Sequence, residues 1–449
     1  MSTPPSPPPA AGAPRIPIQP AGKPAQRPVP ISVVAQADAR PPGLAWLMAA
    51  PHRLFFFLAM LGLVTVSLWW LAQLVARSAG VALPVAVPPS WVHGWAMASG
   101  FIPLFIFGFL FTAGPKWLNL DGPPAAPLLP GALLSSLGIV GVLVGAALDA
   151  RVTAAATALV AIGWLLMFGR FALLVRRSPA QDRLHATLVL VFGLFGVIGQ
   201  ACYAVGFART DLAWVHTGEM LLLWWFIAPV YVTVAHRLIP FFTSSALPFF
   251  GAWRPSWVLT ALLIVVVGHA LLPLPALAWP APLWGVLRAA LDAAGGLLVL
   301  YVAWRWGAVQ SLKNRLLAML HIGFSWLGVA LLLYAAGQVA LLAGRPDLAL
   351  GQAPLHALTM GFFGSVMVAM VTRVTAGHSG RKLVADDLVW ALYWLLQAAT
   401  VLRVVADALP ALRNGTLLVA IVAWCLALVP WALRSLPVYL SMRADRRPG

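Results

Sequence analysis

Twelve long apolar stretches follow one another along this chain, and they constrain its fold more than any other feature. They cover residues 54–76, 91–113, 128–148, 153–175, 184–207, 212–235, 256–273, 282–303, 316–342, 353–372, 388–409 and 414–435. A helix of about 20 apolar residues crosses the hydrocarbon core of a bilayer, and Pro, Gly and charged residues separate most of these stretches. The sequence therefore predicts an all-α polytopic membrane protein with about twelve transmembrane helices.

The composition supports this class and argues against a nucleic-acid partner. Only 9% of the 449 residues are charged, whereas a soluble domain is about 25% charged. The net charge of +17 then indicates loops rich in Lys and Arg that face the cytoplasm, and the expected partner is the lipid bilayer. Cys202 and Cys425 both lie in apolar stretches, so neither a disulfide framework nor a cysteine metal site is expected.

The two ends of the chain differ from its apolar middle. Residues 1–42 hold 13 prolines and few large apolar side chains, which is typical of a disordered segment. We find no short apolar stretch typical of a cleavable signal peptide. The expected organisation is a disordered Pro-rich cytoplasmic tail over 1–42, a twelve-helix transmembrane domain over 43–440 and a basic cytoplasmic tail over 441–449.

Lys and Arg are distributed unequally between alternate loops. With the N-terminus inside, 22 of these 29 residues lie in inner segments and six in outer segments, while Arg288 lies within a span. Cytoplasmic loops are the ones that carry excess Lys and Arg. Both termini are therefore predicted to be cytoplasmic.

Four histidines are predicted to lie at one depth, in the outer part of the membrane. They are His93 in span 2, His216 in span 6, His269 in span 7 and His356 in span 10. Imidazole is the commonest metal ligand and suits haem iron and copper. For any one of them a simple hydrogen-bonding role is the more common explanation, but four on separate helices favour a cofactor site.

Three of these histidines are followed by methionine four residues later, on the same helix face. The pairs are His93–Met97, His216–Met220 and His356–Met360. They lie four spans apart, which indicates three pseudo-repeats of four helices. We interpret the methionines as packing residues.

Other ionisable residues in the same half could support the site. Glu219 follows His216 by three residues, so it could bind a metal, orient the imidazole or pair with another helix. Arg288 and Asp292 are four residues apart in span 8, so they can form an ion pair; alternatively, Arg288 could meet a haem propionate.

The remaining histidines lie toward the inner side. They are His52, His185, His236, His321 and His378. Structuring of loops is the simpler interpretation, and a docking or anion site is the more specific one.

Three segments carry a resemblance to a known family. They are GFLFTAGPKWL (108–118), HRLIPFFTSSAL (236–247) and HALTMGFFGSVMVAMVTRVTAGHSGR (356–381). The chain resembles the NnrS family over roughly residues 50–440. The resemblance implies a twelve-helix protein of the bacterial inner membrane that contains haem and copper. It also implies a role in the response to nitric oxide and nitrosative stress, with a small diatomic ligand and an unidentified electron donor.

The architecture is also similar to that of haem-copper oxidase catalytic subunits, whose ligand histidines lie on helices 2, 6, 7 and 10. That similarity implies His93 and His356 as axial haem ligands, with His216 and His269 holding copper. Helices 7 and 10 each offer a single histidine here, so the ligand count allows one haem and a copper nearby. Proton-pumping reduction of oxygen is not expected.

Two functions are compatible with the sequence. The first is a haem protein that binds gas or transfers electrons, and the number of axial ligands separates these two activities because a diatomic needs an open position. The second is a transporter for metal, haem or small anions, since twelve helices with internal repeats also fit that class. Whether the chain is an enzyme is left open by the sequence.

Overall fold

The computed structural model describes residues 43–247, 249–409, 411 and 413–445. Within these residues there is no strand, and twelve helical segments are long and apolar enough to cross a membrane. In order they are Pro51–Ser78, Pro89–Trp117, Ala126–Leu148, Ala150–Arg177, Leu184–Arg209, Leu212–Ala246, Ser256–Ala278, Pro282–Arg305, Arg315–Leu342, Pro346–His378, Asp387–Ala408 and Gly415–Tyr439. The predicted all-α fold with twelve spans is confirmed. The predicted tail over 1–42, and residues 446–449 of the predicted basic tail, lie outside the described residues.

Most helices extend beyond the apolar stretches that predicted them. The helix of span 10, for example, begins at Ala353 with its apolar stretch but continues to His378, past the apolar end at 372. A hydropathy signal stops at the first polar residues, but helical hydrogen bonding continues into the headgroup region. Three helices begin at an aspartate, because Asp149, Asp211 and Asp386 accept hydrogen bonds from backbone N–H groups of the first turn.

The packing of the spans follows the predicted four-helix period. Consecutive spans contact each other. Span 12 also packs against span 1, as span 4 packs against span 5 and span 8 packs against span 9. Spans 2, 6, 9 and 10 are the most buried, with 67–78% of their most apolar stretch inside the protein. Span 2 contacts both span 6 and span 10, while Tyr231 of span 6 packs on Phe362 and Phe363 of span 10. We call the end where span 1 begins the basic face, and the opposite end the distal face.

Each of spans 2, 6 and 10 departs from α-helical geometry within or soon after its His-x-x-x-Met pair. Span 2 is broken between the helices Pro89–Ser99 and Ile102–Trp117, and spans 6 and 10 contain the π-helices Leu221–Ile227 and Ala357–Gly364. Pro103 and Pro229 lie at or next to two of these irregularities and lack the N–H that an α-helix needs. Since such irregularities are frequent at functional sites, they direct attention to the distal halves of the central spans.

Glycine allows spans 3 and 4 to cross at backbone distance. A Cβ added at Gly163 would lie 2.8 Å from the Gly131 carbonyl oxygen, and one at Gly131 would lie 2.9 Å from the Gly163 oxygen. Small residues at such crossings let two membrane helices approach closely.

Replacement of Gly163 by valine is expected to destabilise the bundle by about 1–3 kcal/mol, because the added atoms overlap backbone that cannot move away. Gly169→Val is the matched control, since Gly169 lies on the same helix with no atom within 4 Å of an added Cβ. Thermal unfolding of the two variants in detergent measures the difference. Equal melting temperatures would show that the crossing tolerates side chains.

Candidate functional site

The distal halves of spans 2 and 10 bring His93 and His356 into one neighbourhood. The two imidazoles lie within electrostatic range of each other, and Arg403 of span 11 acts on the same ring of His93. The two histidines come from the first and third pseudo-repeats. The fold therefore brings His93 and His356 to the same end of the central spans, and the similarity to oxidase subunits implies these two residues as axial haem ligands.

The ring of His356 is held in one orientation by its Nδ1 atom. Nδ1 lies 3.0 Å from the Gln352 carbonyl oxygen and 3.1 Å from Oδ2 of Asp407. Both of these atoms are acceptors, so Nδ1 carries the hydrogen and donates it. In the neutral ring Nε2 then keeps its lone pair, and Nε2 is the atom that a metal binds. A carboxylate behind the far nitrogen is the usual support of a metal-binding histidine.

His93 has a nitrogen without a partner. Its Nδ1 atom is buried and makes no hydrogen bond among the described residues. Its ring stacks on Trp70 of span 1, with centroids 3.9 Å apart and planes at 18°. A buried polar atom left unpaired lowers the stability of the fold by roughly 1–3 kcal/mol. Because this nitrogen has no hydrogen-bond partner among the described residues, it is available as a ligand atom inside the protein.

Arg403 and Asp407 are site residues that the sequence analysis missed. Nη1 of Arg403 lies 2.6 Å from Oδ2 of Asp407, and the same oxygen faces His356. The signal was present, because an Arg-x-x-x-Asp pair inside an apolar span is rare and places both charges on one helix face. The same spacing occurs at Arg288 and Asp292 of span 8, where the analysis did single it out.

His269 lies in a second buried cluster. Its Nδ1 is 2.8 Å from Oδ1 of Asp292, and its Nε2 is 2.9 Å from Nη2 of Arg288. Trp224 stacks on the ring at 3.8 Å, and Tyr334 meets its edge at 4.5 Å. Both nitrogens are engaged, so this histidine offers no lone pair to copper as it stands. Arg288 lies 3.9 Å from Oδ2 of Asp292 and forms the ion pair that its spacing predicts.

Among the described residues, the imidazole of His216 joins neither the His93–His356 pair nor the cluster around His269. The His216 side chain is 71% exposed, and its Nδ1 is 3.9 Å from Oε2 of Glu219. Glu219 itself turns inward, where its Oε1 lies 3.5 Å from the position that a Cβ of Gly94 would take. Glu219 thus lies beside Gly94, the residue that follows His93, whereas His216 faces outward.

The three methionines that follow the histidines behave as packing residues. Met97, Met220 and Met360 are partly buried against the core. Within the described residues no group of three or more His, Cys, Asp or Glu side chains is arranged to hold a metal ion. The assignment of His216, His269 and Glu219 to a copper site stays a prediction.

These features define a polytopic all-α membrane protein with a pair of histidines between its central helices. The chain belongs to the NnrS family: the family model described as NnrS protein matches residues 46–443, nearly the whole chain. The match leaves out only the Pro-rich segment and the last residues. No curated protein matches the chain in sequence.

Proposed function

We propose that this protein is a haem-containing electron-transfer protein that takes part in the response to nitric oxide, with one haem held between His93 and His356. Family membership supports the role in the nitric oxide response. The observation that carries the cofactor assignment is the pair of imidazoles with ligand atoms available, one oriented by Asp407 and the other unpartnered at Nδ1. When bound between two imidazoles, haem supplies one-electron redox chemistry.

The residues around the pair have separate tasks. Asp407 holds the proton on Nδ1 of His356 and so keeps Nε2 available, while Arg403 compensates the buried carboxylate. Trp70 fixes the plane of the His93 ring by stacking on it. Arg403 would be the cation nearest to the pair that could meet a propionate of the cofactor, a role that the sequence offered as one alternative for Arg288. Arg288 instead contacts His269 and Asp292.

A site between transmembrane helices is accessible to a small apolar molecule such as nitric oxide. Nitric oxide dissolves in the bilayer and reaches a site between helices without crossing water. The excess of Lys and Arg at the basic face supports a cytoplasmic position for that face, with the haem in the outer half of the bacterial inner membrane. Copper is part of the proposal only as a second metal near Glu219, which lies beside Gly94.

An absorption spectrum of the detergent-purified protein tests the proposal. The account predicts about one haem per chain, with oxidised and dithionite-reduced spectra typical of two imidazole ligands, and little change on brief exposure to nitric oxide. A haem whose spectrum shifts at once with nitric oxide would mean an open iron position and a gas-binding protein. Protein without haem, made in cells supplied with iron and haem precursor, would contradict the proposal and favour the transporter.

Asp407→Asn is expected to weaken haem retention about 10- to 100-fold, because the neutral amide is a weaker acceptor for the proton on Nδ1 of His356 and no longer compensates the charge of Arg403. Haem remaining after washing against a haem-binding competitor measures the effect. Asp211→Asn is the control: Asp211 is also at the distal face and caps span 6 through the Ala213 N–H, but it has no contact with the pair. Equal retention in both variants would remove Asp407 from the site.

A further inference from the structure

The ends of spans 1, 2 and 10 meet at the basic face, at the opposite end of the bundle from the histidine pair described above. His52 and Arg53 open span 1, Lys116 ends span 2, and His378 ends span 10. Lys116 and His378 lie in segments that carry the resemblance to the family, and the haem proposal uses neither residue. Their meeting point therefore needs an explanation of its own.

His52 is buried at this point with an unpartnered nitrogen. Its side chain is only 6% exposed, and its Nδ1 makes no hydrogen bond within the described part of the chain. Its ring lies against that of His378, with centroids 4.6 Å apart. Two imidazoles thus share one small space at the first turn of a 28-residue helix, whose N-terminus carries a partial positive charge.

The charged groups that act on these two rings are cations: Arg53, Lys116 and Arg443. Arg53 also lies within electrostatic range of Arg381. Arg53 is already engaged, since it donates to the carbonyl oxygens of Tyr439 and Ser441. Lys116 and Arg381 are exposed, so their charges are available to a ligand.

One carboxylate belongs to the same region. Asp445 accepts two hydrogen bonds from Arg443, at 2.9 and 2.8 Å, and this contact raises the pKa of the Arg443 guanidinium. Asp445 therefore compensates Arg443. The pair of Asp445 and Arg443 does not compensate the charges of Lys116 and Arg381. It also leaves the buried nitrogen of His52 unpaired.

We propose that this cluster, made of His52, Lys116, His378 and Arg381, binds a phosphate group, as carried by an anionic phospholipid. Phosphate oxygens accept hydrogen bonds from imidazole N–H groups and from Lys and Arg, and a helix N-terminus adds to their stabilisation. A metal cation is disfavoured by the surrounding positive charge. Basic pockets between transmembrane helices at this depth are typical sites for anionic headgroups.

An adjacent apolar cavity favours a lipid over free phosphate. The cavity measures about 70 Å³ and lies between spans 1, 2, 6, 9 and 10, with Phe56, Phe105 and Val374 in its wall. The Phe56 ring meets the His52 ring edge at 6.2 Å. Apolar surface thus begins directly beside the proposed phosphate position, as the junction of headgroup and acyl chain requires.

The melting temperature of the full chain is measured in neutral detergent. Tryptophan fluorescence reports the unfolding, so the readout does not require bound haem. Phosphatidylglycerol, phosphatidylcholine and inorganic phosphate are each titrated. Phosphatidylglycerol is expected to raise the melting temperature, and phosphatidylcholine is not. Lys116→Gln/Arg381→Gln removes two exposed cations, each worth roughly 1 kcal/mol near a membrane surface, so it should need about 30-fold more phosphatidylglycerol for the same shift.

The control variant is Arg176→Gln/Lys313→Gln, which removes two exposed cations elsewhere on the basic face. Its melting temperature should respond to phosphatidylglycerol like that of the unaltered protein. If inorganic phosphate alone raises the melting temperature and competes with the lipid, the site stands and free phosphate is its ligand. If both double variants lose the response equally, or if neither phosphatidylglycerol nor phosphate stabilises the protein, the proposed site is wrong.

Discussion

His356→Ala is expected to open one axial position of the haem and to weaken haem retention more than any other single change at the site. The loss should exceed the roughly 10- to 100-fold that removal of an outer hydrogen-bonding partner costs. Gln352 and Asp407 fix the proton of His356 on Nδ1, which leaves Nε2 free to bind iron. The reduced variant should gain affinity for carbon monoxide or nitric oxide, because its iron has a vacant position. Absorption spectra with and without these gases measure both effects.

Two comparisons make this result specific. His216→Ala removes a histidine at the same end of the bundle whose side chain is 71% exposed, and it should leave the spectrum unchanged. Added imidazole should restore the original spectrum to His356→Ala by filling the space that the side chain leaves. A His356→Ala protein with full haem and an unaltered spectrum would show that His356 is not a ligand.

Asp292→Ala should cause the largest loss of stability, about 3–5 kcal/mol, because it leaves a charge unpaired inside the bundle. Asp292 is fully buried and lies 2.8 Å from His269 and 3.9 Å from Arg288. Without the carboxylate, the Arg288 guanidinium has only the neutral His269 ring and the face of Tyr334 near it. Unfolding in a graded series of denaturing detergent measures the loss.

A double variant separates charge from packing. Arg288→Gln/Asp292→Asn removes both charges and should recover much of the stability that Asp292→Asn alone loses. Asp347→Ala is the matched control, because it breaks the pair of Asp347 with Arg345, at 2.7 Å and exposed on the distal side, and no measurable change is expected. Equal losses for Asp292→Ala and Asp347→Ala would show that the buried cluster adds nothing to stability.

The number of spans could be predicted from the sequence, because apolar length determines the spans. The structure adds that spans 2, 6 and 10, which carry the His-x-x-x-Met pairs, are among the four most buried. Sequence reasoning also selected His93 and His356, because alternation of the spans places both histidines at one end of the bundle.

The rotation of each helix about its axis could not be predicted. His216 and Glu219 are three residues apart, yet His216 faces outward while Glu219 turns toward Gly94. That choice depends on how span 6 packs against spans 2 and 5, which hydropathy does not record because nearly every face of span 6 is apolar. The histidine partner of each Arg-x-x-x-Asp pair could not be predicted for the same reason: both pairs are visible in the sequence, and only packing shows that the Arg403 pair meets His356.

The haem content per chain, measured for the unaltered protein and for His93→Ala/His356→Ala purified in parallel, decides whether these two histidines hold the cofactor. The account predicts about one haem in the unaltered protein and none in a variant that still elutes as a folded species. Full haem in the double variant would contradict the assignment of both ligands, whatever the spectrum of the unaltered protein.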